Sequence, residues 1–548
     1  MINISIAGKE YTFSEGITIE EILTELDNYD SGIIVAAIVN NKLKDITCSL
    51  SDDAIIEFLS INDEIGNRIY RRSLFILLAR AVYELYPGSK LSIEHSLSNG
   101  IYCELEKDSV LKKEDLKEIK KYMRKLIESN LPINKHNVSR EDLIEIYKSQ
   151  GMDEKCQVLE IINKEKLDVY EIDNYYDYFF YNMVPRTAIL DRFDLHLRAP
   201  GFVLLYPQRG KPYQVPTFIE QPKLADVFYE YEKWGKVIGA SAVSDINRVI
   251  QNGQYNDLIR ITEALHEKKI ANIADKISEN YQENKIILIA GPSSSGKTSF
   301  AQRLAIQLRV NGLKPIAIST DDYFLNREET PLDEEGNYDF ETIHAIDLNL
   351  FNQHLISLLE GDVIDLPTFN FHHGRREYNG RQLKIDNDQV VIIEGIHSLN
   401  HLLTEVIPAE MKFKIYVSAL TQINLDRHNR IPTTDTRLIR RLVRDNYFRN
   451  HSASSTIKMW PAVRKGEENN IFPYQEKADI IFNSALIYEM AVLKKYAEPL
   501  LLKISPEDSS YYQAQRLLGI LRCFLPMSEY EIPRISIIKE FIGGSSFF

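Results

Sequence analysis

At 548 residues, 44% hydrophobic and 26% charged, the chain has the composition of a soluble globular protein and is too long for one ordinary hydrophobic core, so roughly two to four domains are expected. Asp plus Glu number 79 against 65 Lys plus Arg, a net charge of −14, which argues against a general nucleic-acid coating role and requires any bound anion to be captured locally. Cys48, Cys103, Cys156 and Cys523 are scattered, with no Cys-x-x-Cys pair and no zinc spacing, and no apolar run approaches the ~18 residues of a membrane span. Reduced thiols, a cytoplasmic location and no membrane partner are the expectation.

Residues 1–65 combine short alternating strands at Ile2-Ile4-Ile6, Ile33 to Val39 and Ile55 to Leu59 with one helix, Ile19 to Leu26, and Thr18 and Glu21 have the spacing of a capping box. This small α+β pattern resembles a TGS domain, the β-grasp unit at the front of threonyl-tRNA synthetases. Residues 66–225 open with a helical apolar face at Leu74, Leu77, Leu78, Ala81, Val82 and Leu85 that Pro87-Gly88 ends before strands begin. The stretch resembles the second additional domain of threonyl- and alanyl-tRNA synthetases, an α+β unit whose metal is held in that family by a His-x-x-x-His pair. Here those positions are Arg72 and Ile76, and His196 stands near the family's cysteine position. A guanidinium and a hydrocarbon cannot replace two imidazoles, so the expectation is a scaffold or binding surface without metal-dependent editing. The resemblance leaves RNA binding by the N-terminal half open, with no residues that support it.

Residues 226–284 read as a charged helical bridge; just before and within it, Leu224, Val227, Phe228, Tyr231 and Trp234 form a packing stripe. From 285 to 508, continuous apolar strands alternate with helices, the pattern of a parallel sheet covered on both faces, so ligands are expected at the carboxyl ends of its strands. The sheet opens with IILIA followed by GPSSSGKTS, Gly291 to Ser299. This is a phosphate-binding loop: Gly291, Pro292, Ser293, Ser294, Ser295 and Gly296 curve the backbone around a nucleotide phosphate, Lys297 adds charge, the Thr298 hydroxyl suits Mg²⁺, and Ser299 continues the helix whose N-terminus faces the anion. Asp321, in STDDYF after the second strand, is placed to take a hydroxyl proton, and Glu394, ending VVIIEG, is placed to hold Mg²⁺. Arg437, Arg440, Arg441 and Arg444 fall on one broad helical face, read as a lid that brings positive charge over the moving phosphoryl group.

GPSSSGKT, STDDYF, LPTFNF, VVIIEGI, DTRLIRRLVRD and EKADIIF, in that order, resemble the uridine kinase and phosphoribulokinase family over roughly 285–490. The resemblance implies a P-loop kinase that uses ATP and Mg²⁺ on a small-molecule acceptor, with Asp321 as base, Thr298 and Glu394 at the metal, Arg437, Arg440 and Arg441 as lid arginines, and Phe324, Phe369, Phe371 and Arg376 at the acceptor. It also puts Gly374, preceded by His372 and His373, where uridine–cytidine kinases have a base-contacting histidine, and His451 where a second lid arginine stands. Uridine or cytidine is the expected acceptor; a sugar or polyol, and an ATP-switched RNA-binding regulator, are the alternatives. An oligomer is compatible with all of these, and the tail, 509–548, carries one expected helix at Gln513 to Cys523 and no functional signal.

Overall fold

The computed structural model describes residues 1–548 except 27–31, 163, 179–181, 334–335, 371–372, 387 and 422. At the N-terminus, five strands lie in the order Lys9–Phe13, Ile2–Ile6, Ala54–Ser60, Ile34–Val39, Lys42–Lys44, with Ile2–Ile6 and Ala54–Ser60 parallel. Alternate residues Ile2, Ile4 and Ile6 face inward onto Ile19 and Ile22 of the helix Ile19–Glu25. The capping box forms as the spacing predicts: the Thr18 hydroxyl accepts from the Glu21 amide while Glu21 accepts from the Thr18 amide at 2.8 Å.

The next helix, Glu64–Leu85, starts well before the apolar stripe that opens at Leu74, because Asp63 sits at its N-cap and the Ser60 carbonyl accepts the Asp63 amide, fixing the turn. It packs on an antiparallel sheet ordered Asp194–Arg198, Gly201–Leu205, Gly100–Glu106, Lys90–Leu97; a separate three-stranded sheet, Tyr175–Asp177, Lys166–Ile172, Asn134–Ser139, follows the same helix.

The C-terminal half is built on a five-stranded parallel sheet in the order Lys314–Ser319, Gln389–Glu394, Ile286–Ala290, Lys412–Ser418, Ile480–Asn483. Its strands bury both faces, as their near-continuous apolar runs require. Ile287, Ile289, Ile392 and Val417 point to one core, and Ile286, Leu288, Ile393 and Tyr416 to the other. The helices expected to bridge the two halves are part of this layer. Ile270, Ile273 and Ile277 of Tyr255–Glu279 pack on Phe300, Leu304 and Leu308 of the helix Lys297–Val310, and Tyr231 of Pro222–Ile238 donates to the Asn483 carbonyl at 3.1 Å. The tail also folds back. Tyr511–Arg522 docks on Glu489–Leu502, Arg516 pairs with the buried Asp435 at 2.7 Å, and Ile537 and Phe541 enter the core beneath the phosphate loop.

The two halves meet through a buried ionic cluster: Lys155 bonds Asp177 and, at 3.2 Å, Asp426, while His428 shares Asp177 at 2.7 Å. The four cysteines form no disulfide. Among the described residues no helix is long and apolar enough to cross a membrane.

Candidate active site

The segment from Gly291 leaves the central strand and reaches the helix Lys297–Val310 by passing through two left-handed residues, Ser294 (φ 58°) and Gly296 (φ 82°). Such a reversal turns successive amides to one side, the geometry of an anion cradle. The carbonyls turn the other way, and each finds a donor: Ser293 takes Arg437 Nε at 2.8 Å, Ser294 takes Arg440 Nη1 at 3.4 Å, and Ser295 takes the Ser484 hydroxyl. Two glycines are sterically required. A Cβ on Gly291 would run into the Val417 carbonyl, and one on Gly296 into the side chain of Ile537, besides the strain of its positive φ. Lys297 folds its ammonium back to the Pro292 carbonyl at 3.3 Å, at the rim of the cradle.

The carboxylates stand on adjacent strands. Glu394 ends Gln389–Glu394, and the Thr298 hydroxyl is near enough to lower its carboxyl pKa, so the two residues expected at a metal lie on the same cleft. Burial drives the Glu394 carboxyl up to about 7; Lys297 opposes this and the charges of Asp321 and Glu540 add to it. Gly395 after it has no room for a side chain, because Thr320 of the next strand's turn fills that space. Asp321 lies in the 3₁₀ turn Thr320–Tyr323 after Lys314–Ser319. That turn is capped by Ser319, whose hydroxyl accepts the Asp321 amide at 3.3 Å, so Asp321 itself does no capping. Solvent reaches the carboxylate, yet it stands in a cleft walled by protein: desolvation raises its pKa, Lys297 and Arg449 lower it, and Asp322 raises it. Asp322 is engaged elsewhere, facing Arg381 at 3.6 Å.

The lid expectation is corrected for two arginines. Arg437 and Arg440, on Thr433–Arg449, are 1% and 0% exposed; Arg437 is paired with Glu467 and Arg440 with Glu489 at 2.5 Å. Guanidiniums held on both sides by carboxylates and loop carbonyls cannot swing over a substrate. They brace the cradle from behind. Charge on the cleft side comes from farther along the helix. Arg441 reaches the Ser293 hydroxyl at 2.9 Å, and Arg449 acts on Asp321 while sharing Asp445 with Arg441 and Arg444.

Phe324 and Phe369 meet edge to face, ring centres 5.6 Å apart, but both are buried in the core, so they support a pocket wall from beneath. Arg376 is tied to Asp347 at 2.9 Å. Phe371 and His372 lie outside the described residues; His373 bonds Asn370 and Glu377, and Gly374 receives the Arg327 amide at 2.7 Å. Three acidic residues were not anticipated. Glu467 accepts the Ser293 amide at 3.1 Å, Glu540 from the tail accepts both the amide and hydroxyl of Ser299, the latter at 2.7 Å, and Glu341 is desolvated to about 7 beside Glu467, with Arg441 and Lys297 opposing. None of the three has a local motif in the sequence.

A phosphate cradle, its helix and two facing carboxylates at the carboxyl edge of a parallel sheet define a P-loop kinase fold. Residues 286–490 match the Phosphoribulokinase / Uridine kinase family. The other half has different kin: threonine–tRNA ligase of Francisella tularensis subsp. novicida is 29% identical over 196 residues, 36% of this chain, and the enzymes of the SCHU S4 and FSC 198 strains match equally. The chain spans only about a third (31%) of the length of these relatives. Similar solved structures are one described as a possible uridine kinase from Bacillus stearothermophilus (18% identical, TM-score 0.25, covering 39% of this chain and 100% of that one) and D-glycerate 3-kinase from Cryptococcus neoformans var. grubii (13%, TM-score 0.22, 46% and 87%).

Proposed function

We propose that the chain is a cytoplasmic kinase that transfers the γ-phosphoryl group of ATP to an alcohol, with the 5′-hydroxyl of uridine or cytidine as leading acceptor. The observation that supports this reading is the convergence of Lys297, Asp321 and Glu394 on one cleft beside the cradle, where the Lys297 charge lowers both carboxyls and Asp321 raises Glu394. Asp321 takes the proton as the acceptor oxygen bonds to phosphorus and the bond to the ADP oxygen breaks. The amides of Ser294, Gly296, Lys297 and Thr298 and the ammonium of Lys297 hold the departing diphosphate, and Arg441 and Arg449 offset charge on the acceptor side. Thr298 and Glu394 offer Mg²⁺ a hydroxyl and a nearby carboxylate, both oxygen donors; bound there, the ion would neutralise phosphate charge. The segments 1–65 and 66–225 serve in this reading as TGS-like and synthetase-like units with a supporting role.

Family membership of the kinase region and the loop-and-carboxylate geometry support this reading over a regulator that only binds ATP. ADP release measured against a panel of nucleosides, sugars and polyols tests it. Turnover with uridine or cytidine is expected, turnover confined to a polyol would change the acceptor alone, and no acceptor-dependent ADP release from any member would end the kinase reading.

A further inference from the structure

Residues of the synthetase-like unit and of the kinase layer line a chamber of about 600 Å³ whose walls include neither Asp321 nor Glu394. Its walls are unusually basic for a chain of net charge −14. Arg68, Arg71 and Arg72 enter from the helix Glu64–Leu85, and Arg430, Arg437 and Arg464 from the opposite side. Several of these charges are already met: Arg68 pairs with Glu64 at 2.7 Å, Arg464 with Glu468 at 2.7 Å, and Arg437 with Glu467.

Arg71 and Arg430 are different. Arg71 touches the Tyr206 hydroxyl at 3.3 Å, and Arg430 touches the Ser96 hydroxyl at 3.4 Å and lies over the Phe228 ring; among the described residues neither has a carboxylate within ion-pair distance. The nearby acid, Glu94, is itself desolvated, its carboxyl pushed up to about 7 with Glu232 and Glu104 adding to the shift, so it is a weak counter-charge. Arg430 loses proton affinity, to about 10, through burial first, with Glu94 opposing and the charge of Arg71 adding to the loss. Two cations thus repel each other across a desolvated space.

Donors left without acceptors point the same way. Arg68 Nη1, Arg71 Nε and the Thr433 hydroxyl are buried and make no hydrogen bond among the described residues, and Arg68 as a whole is only 9% exposed. Thr433 begins the 17-residue helix Thr433–Arg449, whose N-cap position is Pro432, a residue with no side chain oxygen to cap it. The positive end of a long helix therefore opens into the same chamber. Buried donors with no partner carry a cost that an anion would remove.

We propose that this chamber is a second ligand site, built for a phosphorylated small molecule of nucleotide size and separate from the phosphate loop. The charge and unmet donors select phosphate oxygens. The volume, far more than a bare diphosphate fills, and the rings of Phe75, Tyr206 and Phe228 around it select an organic body attached to them. Arg437 lines the chamber and also holds the Ser293 carbonyl of the cradle, so an occupant would sit one side chain away from the catalytic loop.

Isothermal titration of the full chain with ADP and with inorganic pyrophosphate tests the assignment. Lys297→Ala weakens the phosphate loop, and one equivalent of ADP binding is expected to survive it, to weaken at least tenfold in Arg71→Gln and in Arg430→Gln, to fall with added salt, and to exceed pyrophosphate binding at least tenfold. Arg71 gives up one hydroxyl contact, so R71Q is the safer fold; should R430Q melt early, R71Q alone decides. Loss of all ADP binding in K297A, or binding in K297A that R71Q leaves unchanged, would overturn the proposal, and equal affinity for pyrophosphate would remove the organic body from it.

Discussion

Replacing Asp321 by Asn separates catalysis from nucleotide binding, because this carboxylate accepts no hydrogen bond from any described residue and holds no structure together. Its amide is still received by Ser319, so the 3₁₀ turn survives the change. What disappears is the proposed proton acceptor. General-base removal costs about 10²–10⁴ in rate, about 3–5 kcal/mol of transition-state stabilisation. The neighbouring acid responds as well. Asp321 is one of the charges that raise Glu394, so D321N lets Glu394 ionise at lower pH, and the acidic limb of any residual activity moves downward. The cradle amides and Lys297 are untouched, so ATP affinity is expected to stay within about threefold, a shift under 1 kcal/mol. Coupled ADP-release kinetics give kcat, and a fluorescent ATP analogue gives the affinity. A loss of turnover smaller than tenfold, or an equal loss of affinity and turnover, would refute Asp321 as the base.

Other perturbations follow from the same geometry. Glu394 titrates near 7, so affinity for Mg²⁺·ATP should rise between pH 6 and 8 as the carboxylate forms, and Glu394→Gln should flatten that rise in a titration of Mg²⁺ at each pH. In the ligand-free chain the sign is opposite. Glu394, Glu341 and Glu94 all have carboxyls raised from the ordinary value of 4.5 to about 7, so the stability they contribute is full below pH 4.5 and is lost as pH climbs through 7, a decline thermal melts should record. Arg437→Ala leaves the fully buried Glu467 with the Ser293 amide and Arg464 as its remaining partners, a loss of about 3 kcal/mol visible in melting, with weakened ATP binding because the Ser293 carbonyl loses its brace. Glu540→Gln removes a negative charge from the first turn of the loop helix, where an anion must bind; a gain in ATP affinity of about fivefold, roughly 1 kcal/mol, is expected by direct titration.

Sequence alone placed the parts whose partners are close along the chain. Strand, glycine loop and helix at 286–310 are consecutive, and Thr18 and Glu21 are three residues apart; local spacing encodes such geometry directly. Asp321 and Glu394 were legible because a parallel sheet brings the ends of its strands to one edge whatever lies between them. The arginines on Thr433–Arg449 were legible as a face but not in their function. Arg437 and Arg440 owe their burial to Glu467 and Glu489, residues 30 and 49 positions downstream, and a helical face predicts charge without predicting which countercharge covers it. Arg72 and Ile76 read as the loss of a metal pair; the arginine-lined chamber that surrounds Arg72 needs a second wall from 430–437, invisible until the halves are docked.

That docking also explains why segments outside 286–490 shape the catalytic loop. A glycine loop with two left-handed residues has few bonds of its own, so its curvature must be imposed by neighbours. Arg437, Arg440 and Ser484 fix its carbonyls from one side. Ile537 and Glu540 close the other: Ile537 fills the space beside Gly296, and Glu540 occupies the first donors of the following helix. Because Glu540 takes the Ser299 amide in the helix's first turn, the tail holds the cradle in shape while competing in charge with the phosphate it is shaped for. A nucleotide binding there must outweigh that carboxylate, so the tail tunes affinity through the same residues that keep the loop preorganised.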